Sequence, residues 1–286
     1  MVKKTLIKRI VIGIVLSIIL PLAIVYSWST IILKKTYNIP LTVTHIPNDT
    51  ASIKEGERLT RIAHCAHCHG DKFSGGVVTK VDYIAEFIAP NITSILPGYT
   101  NEELERLIKD GVKKNGQSVY VMPSIMYHGM REESIAKIIA YLRTIQPIPS
   151  TPGVSASTTY YPLGRLQIIE NKIPSMASTY NHNAPGQVVQ FDTAGIAFGK
   201  YLVMTSCTSC HGIDLKGKKG FTPDLIIATA YTKDKFLHLL NTGEGGLGRK
   251  TLGMMSDIAK GHLCYLHNNE MCAIYAYLET GPSQKN

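Results

Sequence analysis

Cys65-Ala66-His67-Cys68-His69 and Cys207-Thr208-Ser209-Cys210-His211 are two copies of the pattern C-x-x-C-H, and glycine follows each copy. This pattern attaches a c-type haem: the two thiols add to the vinyl groups of the macrocycle, and the adjacent histidine binds the iron. The alternatives are a structural zinc site or a redox dithiol. Zinc would require four cysteines around one metal, and neither alternative explains a histidine after each pair. The sequence therefore predicts two covalently attached haem c groups.

The chain around the two motifs also repeats, with a period of roughly 140 residues. Residues 136–144 read AKIIAYLRT and residues 272–280 read CAIYAYLET. In each copy a helical pattern with a glycine precedes the motif, and a tyrosine lies in the final helix. We expect close crossings of Gly56 with Tyr141 and of Gly199 with Tyr277. The repeat predicts two domains of one fold, at residues 50–146 and 190–286.

The sixth iron ligand decides whether each iron is closed or open to small molecules. Methionine fills the iron's coordination and raises its potential. In the first domain Met122, followed by Pro123, lies 53 residues after His69 and is the predicted ligand, although Met126 and Met130 are near. In the second domain Met254 and Met255 lie 43 and 44 residues after His211. Neighbours on an extended loop point in opposite directions, so only one of these two can bind; any of these methionines could instead fill a gap in an apolar core.

The N-terminus has the composition of a membrane anchor, assigned here to residues 1–36. Four basic residues precede an uncharged run over residues 10–33, which is long enough to span a bilayer. A cleaved signal peptide would have a shorter apolar region and a small-x-small site, and neither is evident, although Ala23 and Ser27 leave cleavage open as an alternative. The sequence therefore predicts an uncleaved signal anchor. Pro21 is expected to kink the helix. Because haem c is attached outside the cytoplasm, the haem domains are expected on the periplasmic side of the inner membrane.

Charge and cysteine content narrow the class further. The net charge is +9, but residues 1–49 alone carry six Lys and Arg against one Asp. The excess positive charge therefore flanks the anchor, and it does not support nucleic-acid binding.

Four of the six cysteines belong to the motifs. The other two, Cys264 and Cys272, are expected to form a disulfide in an oxidising compartment.

The sequence also predicts the structure of the segments between the anchor and the two domains. Residues 37–49 form a tether, and a helix begins near residues 48–52 with Ser52 and Glu55 as a capping box. Residues 147–189 are rich in Pro, Ser, Thr and Asn, which predicts a linker with little helix. Within it, the aromatics of residues 160–163 suggest contact with a domain surface. His64 and His67 are expected to be exposed to solvent.

The two domains resemble class I cytochromes c, and more narrowly the cytochrome c subunits of membrane-bound alcohol, gluconate and related quinone-linked dehydrogenases. The resemblance covers roughly residues 50–146 and 190–281. In the first domain it is carried by residues 65–70, 89–93, 99–104, 111–112, 122–123, 127 and 138–142. In the second it is carried by residues 207–212, 223–225, 236, 242–243 and 255–278.

The resemblance implies mostly helical domains. Together with the anchor predicted from composition, the expected fold is all-α, with two tandem class I cytochrome c domains behind an N-terminal transmembrane helix. The resemblance also implies His69/Met122 and His211/Met255 ligation, and the choice of Met255 rests on it because the family's ligating methionine opens a short helix. The alcohol-dehydrogenase subunits carry three haem domains and are usually anchored at the other end, so their specific partner is not carried over.

These observations predict a membrane-anchored dihaem cytochrome c that relays electrons between redox proteins. No acid–base constellation or substrate pocket is evident in the sequence. A dihaem peroxidase with one open iron is the first alternative, and a redox or gas sensor is the second. Fold alone does not separate them, whereas iron coordination does.

Overall fold

The computed structural model describes residues 2–42, 44–179 and 194–282. Its first element is the apolar helix α1, Val2–Leu33, which contains Pro21. The stretch Lys4–Leu33 is the one helix in those ranges that is long and apolar enough to cross a membrane. By length and composition it fits either a membrane anchor or a signal sequence.

The first haem-motif domain is mainly helical. Its helices are α2 (Thr50–Ile62), α3 (Cys65–His69), α4 (Ile92–Ile95), α5 (Asn101–Asp110), α6 (Ser124–His128) and α7 (Glu132–Thr144), with a 3₁₀ turn at Leu96–Gly98. Helix α5 begins at a capping box of Thr100 and Glu103 and ends at Gly111, whose φ of 64° suits glycine. Its apolar face joins α6 and α7 in a core that includes Leu104, Ile108, Met126, Tyr127, Ile135 and Ile139.

A small antiparallel sheet lies on this domain, so the all-α expectation was incomplete. Strand β1 (Gly76–Val81) pairs with β2 (Ala85–Ala89), and β2 pairs with the short β3 (Thr159–Tyr160). The valines of β1 favour extended backbone. The third strand comes from the expected linker, far away in sequence.

The second haem-motif domain repeats the helical plan. It contains α9 (Gly195–Ser206), α10 (Thr208–His211), α11 (Lys233–Thr242), α12 (Met254–Gly261) and α13 (Asn268–Glu279), with 3₁₀ turns at Leu225–Ala230 and Leu263–Tyr265. Its core includes Leu202, Val203, Phe236, Leu240, Ile274 and Leu278. The expected boundary between residues 189 and 190 lies outside the described residues.

In both domains the first helix crosses the last helix at a glycine, as the sequence predicted. A Cβ on Gly56 would lie 1.9 Å from the carbonyl oxygen of Lys137 and 3.0 Å from Cβ of Tyr141. A Cβ on Gly199 would lie 1.9 Å from the carbonyl oxygen of Ala273 and 2.9 Å from Cβ of Tyr277. No side chain fits at either distance, so glycine sets the closeness of each helix pair.

The cap of α2 differs from the expected Ser52–Glu55 box. The helix begins one turn earlier, and the Asp49 side chain accepts a hydrogen bond from the Ser52 amide. Asp49 is therefore the N-cap, a position at which aspartate is favoured. Glu55 instead accepts hydrogen bonds from Arg58.

The stretch expected to be a linker with little helix contains a helix, α8 (Pro162–Ile169), and a 3₁₀ turn at Met176–Ser178. Pro162 opens α8 at a position where its missing N–H costs nothing. The Tyr161 amide donates to the carbonyl of Ile84, so the aromatic segment does lie on the first domain. The described part of this stretch is thus folded against that domain.

The expected disulfide is absent. Cys264 and Cys272 are both free thiols. Cys264 lies in the 3₁₀ turn Leu263–Tyr265, where its Sγ contacts the carbonyl of Lys260 at 2.9 Å. Cys272 belongs to the separate helix α13. Two spare thiols and an expected oxidising compartment were therefore insufficient grounds for pairing them.

Candidate haem sites

Each C-x-x-C-H motif forms a short helix that ends at glycine. Helix α3 ends at Gly70 with φ 77° and ψ 160°, and α10 ends at Gly212 with φ 78° and ψ 158°. This positive-φ backbone favours glycine, which explains the glycine after each motif. The two turns are thus nearly identical in geometry, although only the first is preceded by a residue, His64, in the left-handed region.

The histidine of each motif is oriented by a backbone carbonyl. His69 Nδ1 lies 2.9 Å from the carbonyl oxygen of Pro90, and His211 Nδ1 lies 2.9 Å from that of Pro223. When Nδ1 carries the proton and donates it there, Nε2 is left with a lone pair for a metal. Burial lowers the pKa of both imidazoles, which favours the neutral form that binds iron. The donor chemistry therefore fits a haem iron in both domains.

The cysteines fit thioether attachment better than a zinc or redox dithiol site. Burial raises the pKa of Cys65 and of Cys207 to about 12, so neither thiol is poised as a thiolate. Within the three described ranges, no group of three or more His, Cys, Asp or Glu side chains is arranged to hold a metal ion. The structure thus supports reading each cysteine pair as part of a haem site.

Met122, the predicted ligand of the first domain, lies just before α6. Its side chain is partly buried and packs against the core of that domain. The nearby Met126 and Met130 are only 3% and 8% exposed and belong to the core itself. Met122 is therefore the least buried of the three methionines and lies at the edge of the core, where its thioether remains partly accessible.

Met254 and Met255 occupy the first turn of α12 rather than the extended loop assumed from the sequence. Met254 is 48% exposed, whereas Met255 is partly buried and packs against the core of the second domain. Successive side chains on a helix point about 100° apart, so only one of the two faces the domain. This supports the prediction of Met255.

His64 is not exposed to solvent, contrary to expectation, whereas His67 is. His64 Nε2 lies 2.8 Å from the carbonyl oxygen of Ser206, and its ring contacts that of His262 edge-on at 5.0 Å. Burial, followed by the neighbouring imidazole of His262, lowers the pKa of His64 to about 4. Local sequence patterns could not reveal this contact, because Ser206 belongs to the other domain.

The two haem motifs therefore meet at the interface between the domains. His64 and Ser206, which touch, immediately precede the first cysteines of their motifs. Burial, and then the nearby thiol of Cys210 in the other domain, raise the pKa of Cys68. The structure thus brings the two attachment segments side by side.

An ion pair network missed by the sequence reading also joins the domains. Arg58 of α2 donates to both carboxylate oxygens of Glu270 in α13, at 2.6 and 2.9 Å, and to Glu55 at 2.7 Å. The Arg58 and Glu270 side chains are only 14% and 9% exposed. Burial by itself would lower the pKa of Arg58, but the hydrogen bonds to both glutamates raise it above its ordinary value.

Known proteins share sequence similarity with both haem-motif domains. The cytochrome c family model matches residues 53–146 and 196–282. The chain is 26% identical over 224 residues to the cytochrome c subunit of alcohol dehydrogenase (quinone) of Gluconobacter oxydans, covering 70% of this chain and 45% of the relative. It is 24% identical over 270 residues to the gluconate 2-dehydrogenase cytochrome c subunit of Pantoea cypripedii, covering 80% and 59%.

The fructose dehydrogenase cytochrome subunit of Gluconobacter japonicus is also similar, with 23% identity over 268 residues, covering 82% of this chain and 53% of the relative. The chain thus spans about half the length of the curated relatives it matches. The family model covers more than half of the chain and coincides with both haem-motif domains. The chain belongs to the cytochrome c family, whose members bind haem c covalently and transfer electrons.

Proposed function

We propose that the chain is a dihaem cytochrome c, anchored in the inner membrane, that relays electrons on the periplasmic side. Cys65, Cys68, His69 and Met122 would hold one haem, and Cys207, Cys210, His211 and Met255 would hold the other. When bound, these groups supply reversible one-electron chemistry. The chain would be an electron-transfer protein rather than an enzyme in its own right.

The observation that carries this proposal is the contact between the two attachment segments. His64 and Ser206 join the segments at 2.8 Å, and the ion pair of Arg58 and Glu270 joins the same two domains. Two separate binding functions would not require adjacent motifs. A relay requires adjacent motifs, because electrons must pass between the two haem groups within one chain.

The membrane anchor is supported by the way α1 ends. Ser29 is fully buried, and the hydroxyl of Tyr120 donates to the carbonyl of Ile32 at 3.1 Å. The chain after α1 continues these contacts, since the Tyr37 amide donates to the carbonyl of Gly116. A cleaved signal sequence would not be built into the domain it delivers. We infer that α1 is retained and that the haem domains lie outside the cytoplasm.

The relatives' names suggest a class of partner. They are cytochrome subunits of alcohol, gluconate and fructose dehydrogenases. We propose that a dehydrogenase or a quinol-oxidising complex is the electron donor, and that a terminal oxidase or a soluble cytochrome is the acceptor. No small-molecule substrate and no nucleic acid are part of this proposal.

Counting transferred electrons tests the relay. The full chain in detergent would be reduced, freed of excess reductant and mixed anaerobically with an excess of a ferric soluble cytochrome c. We expect two electron equivalents to leave each chain, one for each family match. A yield of one equivalent or none would contradict the relay. Repeated consumption of hydrogen peroxide while a reductant is supplied to re-reduce the chain after each turnover would instead identify a peroxidase.

A further inference from the structure

The last turns of α1 are joined to the first domain by one side chain of α8. Arg165 Nη1 lies 3.0 Å from the hydroxyls of Ser29 and Thr30 and 3.4 Å from the carbonyl oxygen of Tyr26. Its guanidinium also lies over the ring of Tyr26, 4.3 Å from the centroid. Arg165 combines hydrogen-bond donation from Nη1 with stacking of its guanidinium on an aromatic ring, so this contact fixes α8 beside residues 26–30 of α1.

The length of α1 sets the depth of that contact in a bilayer. The uncharged run begins at Ile10, directly after Lys8 and Arg9. A hydrocarbon core of about 30 Å takes about 20 helical residues, so a core that starts at Ile10 ends at about Ser29. Arg165 therefore binds α1 at the boundary between hydrocarbon and headgroups, and α8 lies at that depth.

Apolar side chains around this boundary are exposed. On α8, Gly164 and Ile168 are buried, whereas Leu163 and Leu166 are 52% and 39% exposed. A Cβ on Gly164 would lie 2.1 Å from the carbonyl oxygen of Ile84, so the turn between β1 and β2 adjoins α8. Two exposed aromatic residues lie near the same boundary between hydrocarbon and headgroups. They are Tyr83 in that turn, which is 75% exposed, and Trp28 of α1, which is 57% exposed.

We propose that Trp28, Tyr83, Leu163 and Leu166 form an apolar collar that inserts into the interfacial layer of the outer leaflet. The occupant is a lipid surface, because the collar is continuous with α1 and lies where α1 leaves the hydrocarbon core. Tryptophan and tyrosine favour this layer, and exposed leucines gain free energy by burial in it. The collar would hold the first haem domain at a fixed height and tilt above the membrane. This inference rests on the proposed anchor.

Photolabelling by lipid tests the collar in the intact protein. The full haem-loaded chain would be placed in nanodiscs that contain a phospholipid with a diazirine high in its acyl chain, irradiated, and mapped by mass spectrometry. We expect adducts on α1, on the α8 peptide and on the peptide of residues 82–84. The L163S/L166S variant should reduce α8 labelling about fivefold, because two insertion contacts weaken.

Leu247 supplies the matched control. It is 91% exposed but belongs to the second domain, so its peptide is expected to label only at background level. In the L247S variant, the labelling of α8 is expected to stay unchanged. Labelling of α1 without labelling of α8 above the Leu247 peptide would overturn the collar and leave the anchor intact. Absence of labelling on α1 itself would overturn the anchor, and the collar with it. Unchanged absorption spectra would show that the variants are folded.

Discussion

Replacing Met122 or Met255 with alanine is expected to leave one iron of the chain without its thioether ligand. Half of the haem should become high-spin in the ferric state, and half of the far-red methionine-to-iron absorption band should disappear. Loss of a thioether also removes its preference for ferrous iron, so the potential of that haem should fall by on the order of 100 mV. Absorption spectroscopy and a redox titration measure both effects. Each variant should also gain reactivity with peroxide at the opened iron.

The neighbouring methionines are the controls. M254A removes a side chain that is 48% exposed and should leave both bands intact. M126L and M130L keep the volume of two core side chains and should do the same, at a stability cost below about 1.5 kcal/mol. If M254A rather than M255A removed the band, Met254 would be the ligand. If M126L removed it, the assignment of Met122 would be wrong.

Replacing Arg58 with methionine is expected to uncouple the two domains. The change keeps the apolar stem but leaves Glu270, at 9% exposure, without its counter-charge. Removing one partner of a buried pair costs about 3–5 kcal/mol. Calorimetry of the haem-loaded protein should show a lower and broader melting transition that separates into two. The double variant R58M/E270Q should recover part of the loss, because it also removes the stranded carboxylate.

Lys54 provides a charge-matched control on the same helix. It is exposed, so K54M should shift the melting temperature only slightly.

The stabilisation by Arg58 is expected to depend on pH. The hydrogen bond from Arg58 lowers the pKa of Glu55 below its ordinary 4.5, so this pair stabilises the native state above that pH and the contribution is lost as pH falls. The difference in melting temperature between wild type and R58M should shrink as the pH falls below 4.5. Equal melting of R58M and K54M would refute the role of Arg58.

The features that the sequence predicted correctly depend on short-range patterns. The two C-x-x-C-H motifs indicated the cytochrome c family, because the chemistry of haem attachment fixes the order of the residues, and the family match over both domains confirms that family. The crossings of Gly56 with Tyr141 and of Gly199 with Tyr277 followed from aligning the two repeats. A glycine opposite an aromatic residue in both copies has the same physical cause in each, a helix pair too close for a Cβ.

The features that were missed depend on contacts between distant parts of the chain. His64 was expected at the surface, but its partner is the carbonyl of Ser206, 142 residues away. The strand Thr159–Tyr160 exists because β2 offers it a free edge, which composition cannot reveal. Arg58 and Glu270 look like ordinary surface charges of two helices until the domains dock. The disulfide expectation failed because it used the redox compartment and the number of spare thiols, which do not tell where the two side chains lie in the fold.

The proposed function requires that the chain hold two closed haem irons, each with histidine and methionine ligands. The most direct test is the ferric absorption spectrum of the purified protein, calibrated by haem content, before and after hydrogen peroxide is added. We expect two low-spin haems per chain, both contributing to the far-red methionine band, and no change with peroxide. A single haem per chain, a high-spin fraction, or a spectrum that changes with peroxide would contradict it.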